Sequence, residues 1–400
     1  MTKPVGIGVI GLGWMGQAHS RSFLRLPTLF DDRCYQPRLV ACADNVAARR
    51  DQAVGAFGFA SATDDWRQVV DDDQVDVVVI TAPNMLHEEL CVSTAEVGKA
   101  IFCEKPVGGT PEQTVRIAAA ARRAGVITGV GYNYRWAPLV LHTRQLIDDG
   151  RLGVLTNYRG RFFSMYGSDP MGLLSWRFLE AEGGYGVSTD ILSHVVDLAH
   201  FLVGPIEKVI GTKETFIRQR PLPRPGTQGH YALGHPDDPT GEVTNEDYAA
   251  ALVVFANGVR GTFESSRSTV GPESQMAFDV YGTRGAIGWN LEDLNSLQVY
   301  LVDDDGRAPR GYTTVRGGDR YPYHGRFVPG DANSIGFEDL VAIEDHAFLT
   351  SVVEGSPHHP GFEEALDYVS FQAAWLRACG SGTWEDVVPL DGAGMSGGST

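Results

Sequence analysis

Three side chains in this sequence are suited by type and spacing to moving a proton: Lys105, Asp190 and His194. Lys105 follows the apolar run Ala100-Ile101-Phe102-Cys103 and Glu104, and precedes Pro106. A lysine at the carboxyl end of a buried strand in an open parallel sheet faces the edge where ligands bind. A lone lysine is equally at home as a surface side chain with its ammonium in water. Asp190 and His194 are one helical turn apart, so in a helix they share a face. A carboxylate-oriented imidazole is a competent general base near neutral pH. The plainer alternative is that Asp190 caps the helix and His194 packs in the core. Asp197 and His200 continue the pattern, but a zinc site needs three or four convergent ligands. No cysteine or second carboxylate cluster supplies them, so no metal is expected.

A second constellation binds rather than reacts. Gly11-Leu12-Gly13-Trp14-Met15-Gly16 follows the run Val5 to Ile10 and opens a helical stretch. That context turns a weak G-x-G-x-x-G match into a dinucleotide-binding signal, because glycines let the backbone approach a pyrophosphate held at the helix amino terminus. Asp44 ends the next strand and is placed to accept hydrogen bonds from the adenosine ribose, which favours NAD over NADP. It stands 28 residues after Gly16, against the usual spacing of about 20, and an inserted loop around Pro27 to Pro37 accounts for the excess. Arg49 and Arg50, the side chains that would serve a 2′-phosphate, sit a turn or more into the following helix. Thr81-Ala82-Pro83-Asn84 closes a third strand and lies at the binding edge, where Asn84 would also serve as a helix cap. His87, Trp176 and Arg177 each admit two readings, one in packing or solvent and one lining the cleft.

These residues need a scaffold. Strand-like runs at Val5 to Ile10, Arg38 to Ala43, Val75 to Thr81, Ala100 to Cys103 and Val126 to Val130 alternate with alanine-rich helical stretches. That is a doubly wound α/β pattern with a parallel sheet. After Tyr132 alternating runs take over, at Leu155 to Ser164, Ile206 to Thr215, Tyr248 to Phe255, Val259 to Ser265, Met276 to Tyr281 and Leu297 to Val302. They predict a mostly antiparallel sheet, with Asn257-Gly258 as a hairpin turn and a helix at Gly186 to Phe201 covering one face. Residues 218–246 and 304–336 read as long loops, Phe337 to Val353 and Phe362 to Ala378 as closing helices, and 391–400 as a flexible tail. The domain expectation is 1–133 for the nucleotide and 134–390 for substrate and oligomerisation.

Composition narrows the partners. The 400 residues are 43% apolar and carry a formal charge of -17. Such an acidic chain is unsuited to nucleic acid or an anionic membrane surface, both of which need positive potential. No apolar stretch reaches the length of a membrane-spanning helix, and the amino terminus starts a strand rather than a signal peptide. Five scattered cysteines without a C-x-x-C pair fit a reducing cytoplasm.

Taken together, Gly11-x-Gly13-x-x-Gly16, Glu104-Lys105-Pro106, Asn133-Tyr134-Arg135 and Asp190-x-x-x-His194-x-x-Asp197 resemble the glucose–fructose oxidoreductase/inositol dehydrogenase (Gfo/Idh/MocA) family over nearly the whole chain. Within it, Ser175-Trp176-Arg177-Phe178 and His194-Val195-Val196-Asp197 look most like the levoglucosan (anhydrosugar) and related sugar 3-dehydrogenases. The resemblance implies a Rossmann domain joined to an open antiparallel sheet, and an NAD-dependent oxidation of a pyranose, anhydrosugar or cyclitol hydroxyl. It puts Lys105, Asp190 and His194 on catalytic positions, and the one-turn spacing adds the expectation that Asp190 orients the His194 imidazole and stabilises its charged form. Gly11, Gly13, Trp14, Met15, Gly16, Asp44, Thr81, Pro83, Asn84, His87, Glu104, Lys105, Trp176 and Arg177 fall on the cofactor side, and Asn133, Tyr134 and Arg135 on the substrate side. The same fold hosts cofactor-retaining glycoside-processing enzymes, keto-sugar reductases and catalytically silent regulators. The large open sheet predicts a homodimer or homotetramer.

Overall fold

Short runs of β-branched residues build the first sheet in the computed structural model, which describes residues 2–224, 232–303 and 310–390. Its strands are β1 (Lys3–Ile10), β2 (Tyr35–Ala43), β3 (Ser61–Thr63), β4 (Val77–Ile80), β5 (Ala100–Cys103) and β6 (Thr128–Val130). All pair in parallel, in the order β3-β2-β1-β4-β5-β6. Every residue of β4 is fully buried, as expected of a strand with helices on both faces. The order reverses between β1 and β4, and the crevice at their carboxyl ends is where such sheets take ligands. β3 carries no pattern in its three residues, so the sequence did not announce it.

The segment read as an inserted loop around Pro27 to Pro37 is not one. The first helix runs from Trp14 to Leu29 with Pro27 inside its last turns, and β2 begins at Tyr35. A long helix and a nine-residue strand therefore account for the distance from Gly16 to Asp44.

The second sheet contains β7 (Leu155–Ser164), β8 (Ile206–Glu214), β11 (Tyr248–Phe255), β12 (Arg260–Ser266), β13 (Ser274–Gly282), β14 (Gly285–Asn290), β15 (Ser296–Leu301), β16 (Thr313–Arg316) and β17 (Glu385–Asp386), while β9 (Gln219–Pro221) and β10 (Thr240–Glu242) form a separate ribbon. The order is β16-β15-β14-β13-β7-β12-β11-β8-β17, antiparallel except for the parallel pair β7 and β12. Gly258 turns the β11–β12 hairpin at φ 88°. Residues 218–246 and 304–336, read as loops, contribute the ribbon, β16 and a helical turn at His324–Arg326. The tail at 391–400 lies outside the described residues, as do 225–231 and 304–309 within those two segments.

One face of this sheet carries helices. The helix expected at Gly186 to Phe201 is broken in two, Gly186–Asp190 and Leu192–Leu202, joined at Ile191. Its second half packs on β7, where a Cβ on Gly160 would stand 2.6 Å from Val195 Cγ1. The last helix, Phe362–Ser381, crosses β8, where Gly211 makes room for Trp375, whose indole donates to the Ala250 carbonyl. The other face bears Arg159, Arg161, Ile210, Thr212 and a half-exposed Leu252, and is open among the described residues. The penultimate helix, Phe337–Glu354, returns to the first sheet along the first helix, tied by Arg21–Glu338 at 2.6 Å and Arg25–Asp339 at 2.5 Å.

Candidate active site

The glycine loop is shaped by contact. Gly11 has φ 94°, and a Cβ there would meet the Ala82 amide nitrogen at 2.7 Å. A Cβ on Gly16 would lie 1.9 Å from the Gly11 carbonyl oxygen, so only glycine lets the first helix pack this close to β1. Gly13 has open space where its Cβ would be, and it caps the first helix with no side-chain acceptor for the free amides. Unclaimed amides beside open space suit the pyrophosphate of a dinucleotide. Met15 is half-buried, and the Thr81 hydroxyl donates to the Gly11 carbonyl. Asp44 accepts from the Leu12 amide at 2.7 Å and the Val46 amide at 2.8 Å, which locks the loop to the end of β2. Arg49 stands 3.4 Å from its carboxylate, nearer than its place in the following helix suggested. Trp14 is 68% exposed and stacks on Phe337 at 5.1 Å.

Several expected contacts are committed elsewhere. His87 is buried with its two ring nitrogens 2.7 Å from the Pro106 carbonyl and 2.8 Å from the Ala82 carbonyl. It clamps the loops after β4 and β5 together and has no ring nitrogen left for a cofactor. Glu104 lies 3.3 Å from His19, which also meets Asp345 of the penultimate helix at 2.9 Å. Those two carboxylates hold the buried His19 ring well above its ordinary pKa against the cost of burial. Asn84 does not cap a helix but donates to the Gly183 carbonyl at 3.1 Å, while Pro83 is exposed at the crevice. Arg135, expected to meet substrate, is buried in a bidentate pair with Asp197 at 2.6 to 2.9 Å and stacks on Phe201. Asn133, its neighbour, is also buried.

The three residues expected to react do converge. Lys105 Nζ donates to Asp190 Oδ1 at 2.7 Å and to the Asp190 carbonyl at 3.2 Å. The break at Ile191 sets Asp190 at the end of its own short helix, and no hydrogen bond joins it to His194. Asp190 therefore does not orient the imidazole through a hydrogen bond as the one-turn spacing suggested, although its charge still acts on the ring. Its second oxygen accepts from the Tyr166 hydroxyl at 2.9 Å and lies 3.6 Å from Arg177, which stacks on Trp176. Burial pushes the Asp190 carboxyl up, but Lys105 and Arg177 outweigh it and hold the group well below the usual carboxylate range. His194 is buried, its Nδ1 has no hydrogen-bond partner, and Tyr134 packs edge-on against the ring at 4.7 Å. Burial and then the Lys105 charge hold His194 well below its ordinary pKa, with Asp190 opposing. A neutral imidazole near a fixed ammonium is a proton acceptor beside a donor for an oxygen that gains charge. Tyr166 was missed because it sits in an irregular segment where a tyrosine carries no pattern.

Among the described residues no group of three His, Cys, Asp or Glu side chains is gathered for a metal, and no helix is long and apolar enough to cross a membrane.

The chain is similar to known proteins over nearly its whole length. Residues 5–132 match the oxidoreductase family model with an NAD-binding Rossmann fold, and residues 140–288 match the GFO/IDH/MocA C-terminal domain. Levoglucosan dehydrogenase of Pseudarthrobacter phenanthrenivorans is 33% identical over 96% of this chain and 98% of its own. Inositol 2-dehydrogenase of Rhizobium meliloti is 25% identical over 94% and 96%. A solved levoglucosan dehydrogenase in complex with NADH and levoglucosan superposes with a TM-score of 0.90 at 32% identity, covering 96% of this chain and all of that one. With both halves matched in order and the glycine loop shaped for a dinucleotide, the chain belongs to the GFO/IDH/MocA family of NAD-binding oxidoreductases.

Proposed function

We propose that this protein oxidises a secondary hydroxyl of a pyranose, anhydrosugar or cyclitol to a ketone, at C3 of a glucose-like ring. The observation that carries the reading is the buried His194 with an unpartnered Nδ1, beside a Lys105 ammonium fixed on Asp190. NAD, held at the glycine loop and Asp44, would supply the hydride acceptor. His194 takes the hydroxyl proton, and its low basicity keeps it ready at neutral pH. Lys105 donates to the same oxygen as negative charge builds there. Tyr134, pressed against His194, forms part of the cleft wall and offers an aromatic face to sugar C–H groups. The relatives named for levoglucosan and inositol support a neutral polyol ring as the substrate. Domain limits at 1–133 and 134–390 belong to the same reading, with association into a dimer or tetramer through the open sheet face.

A substrate panel of glucose, levoglucosan, myo-inositol and alkyl glucosides, followed by NADH absorbance, tests the reading. Turnover with a 3-keto product by NMR is the expected result. Absence of NADH formation with every member overturns it.

A further inference from the structure

Asp190 is held from three sides, and only one of them is the catalytic lysine. Lys105 takes Oδ1, while Oδ2 accepts from Tyr166 at 2.9 Å and faces Arg177 at 3.6 Å. We propose that Tyr166 is a positioning residue that acts through Asp190, fixing the carboxylate so that the Lys105 ammonium is presented to the reacting oxygen in one geometry. This deepens the sugar-dehydrogenase reading and rests on it for its catalytic meaning.

The segment that carries Tyr166 is built to be rigid. Arg267, just after β12, and Arg220 of the ribbon strand β9 both stack on one ring, Phe178, at 4.5 and 4.0 Å. Arg220 is fully buried and spends its guanidinium on the carbonyls of Gly167 and Asp169, immediately after Tyr166. The Gly167 amide donates to the Arg267 carbonyl at 2.8 Å, and the Leu174 amide to the Pro221 carbonyl at 2.8 Å. Arg267 is in turn fixed by Asp247 at 2.7 Å and Asn245 at 2.8 Å. Ribbon, loop and sheet edge thus clamp both ends of the stretch from Tyr166 to Phe178, so a phenol at its start and a guanidinium near its end meet one carboxylate oxygen. A floppy loop would lose that geometry to side-chain entropy. Hydrogen bonds to a charged group are stronger than neutral ones, so the Tyr166 hydroxyl biases which way the carboxylate turns.

Two readouts test the assignment, one of them independent of turnover. In the first, Tyr166→Phe, Asp190→Asn and the double variant are compared in kcat with the sugar that the wild type oxidises. Tyr166→Phe is expected to lower kcat about fivefold or more, since positioning losses of this kind are common. The double variant should be no slower than Asp190→Asn alone, because a residue acting through Asp190 has nothing left to act on. The second readout is labelling of Lys105 by acetic anhydride in the cofactor-free protein, quantified by peptide mass spectrometry against the surface lysine Lys208. Tyr166→Phe should raise the Lys105 labelling rate severalfold, because a carboxylate free to turn shields the ammonium less. A merely structural tyrosine would lower the melting temperature without changing Lys105 relative to Lys208. Should Tyr166→Phe not fold, Arg177→Gln removes the other group on the same oxygen and must raise Lys105 labelling in the same direction. Unchanged labelling in the folded variant, or strictly additive losses in kcat, overturns the proposal. If labelling changes as expected but no sugar is oxidised by the wild type, the positioning role stands and the substrate reading fails.

Discussion

In the proposed reaction His194 is the general base, and its surroundings set its pH behaviour. Its ring is buried and lies near Lys105, and both effects hold its pKa well below 6.5. The active form is the free base, so a lowered pKa extends activity toward acid rather than restricting it. kcat/KM is therefore expected to stay flat from about pH 8 to about pH 6, where an unperturbed imidazole would already have lost about three-quarters of its free base. An acid limb centred near 6.5, measured with initial rates, would contradict this. His194→Ala should lower kcat by roughly a hundredfold, the usual worth of general-base assistance, while isothermal titration finds NAD affinity within about twofold, since no cofactor-loop residue is touched. Asp44 carries the cofactor prediction. Asp44→Ser should narrow the preference for NAD over NADP by removing repulsion of a 2′-phosphate beside Arg49. It should also raise KM for both cofactors, because the Leu12 and Val46 amides lose their acceptor. A wild type that prefers NADP in steady-state kinetics would refute the role given to Asp44.

At the scale of elements, the site depends on how closely helices lie on sheets. The helix bearing His194 rests on β7 at Gly160, where an added side chain would meet Val195. Gly160→Val should lift that helix, costing about 1–3 kcal/mol of stability as overpacking does and lowering kcat without changing any reacting group. Denaturant melts alongside kinetics check it, and normal turnover in the variant would show that the helix position is not critical. The periodicities that announce these elements were plain in the sequence, because valine-rich buried strands and alternating half-buried strands differ in period. The break at Ile191 was not, since nothing in Thr189-Asp190-Ile191-Leu192 opposes a continuous helix. It is the pull of Lys105, Tyr166 and Arg177 on one carboxylate that accompanies the turn there.

Across the whole molecule, an acidic chain presents one wide sheet face, spanning β7, β12, β11 and β8, that no described element covers. Leu252 stands on it 52% exposed, beside Ile210 and Thr262. Apolar surface of that kind is normally buried in an assembly. Light scattering at micromolar concentration is expected to report a dimer or tetramer, and Leu252→Arg should shift it toward the monomer. A monomeric wild type would end this prediction.

The sequence by itself determined the nucleotide fold, the glycine loop, the approach of Lys105 to the crevice and the family, because each rests on local periodicity or on a motif whose chemistry needs adjacent residues. Only the tertiary structure decided which partners those residues keep. Arg135 follows Asn133 and Tyr134 in sequence, yet it turns inward to Asp197 because a buried carboxylate 62 residues away demands a counter-charge. His87 closes on two loop carbonyls, and Glu104 on His19, for the same reason: a polar group taken from water must find a partner wherever the fold brings one. Tyr166 reaches Asp190 across 24 residues of irregular chain held by arginines from two other segments. Distances in space of that kind leave no trace in spacing along the chain.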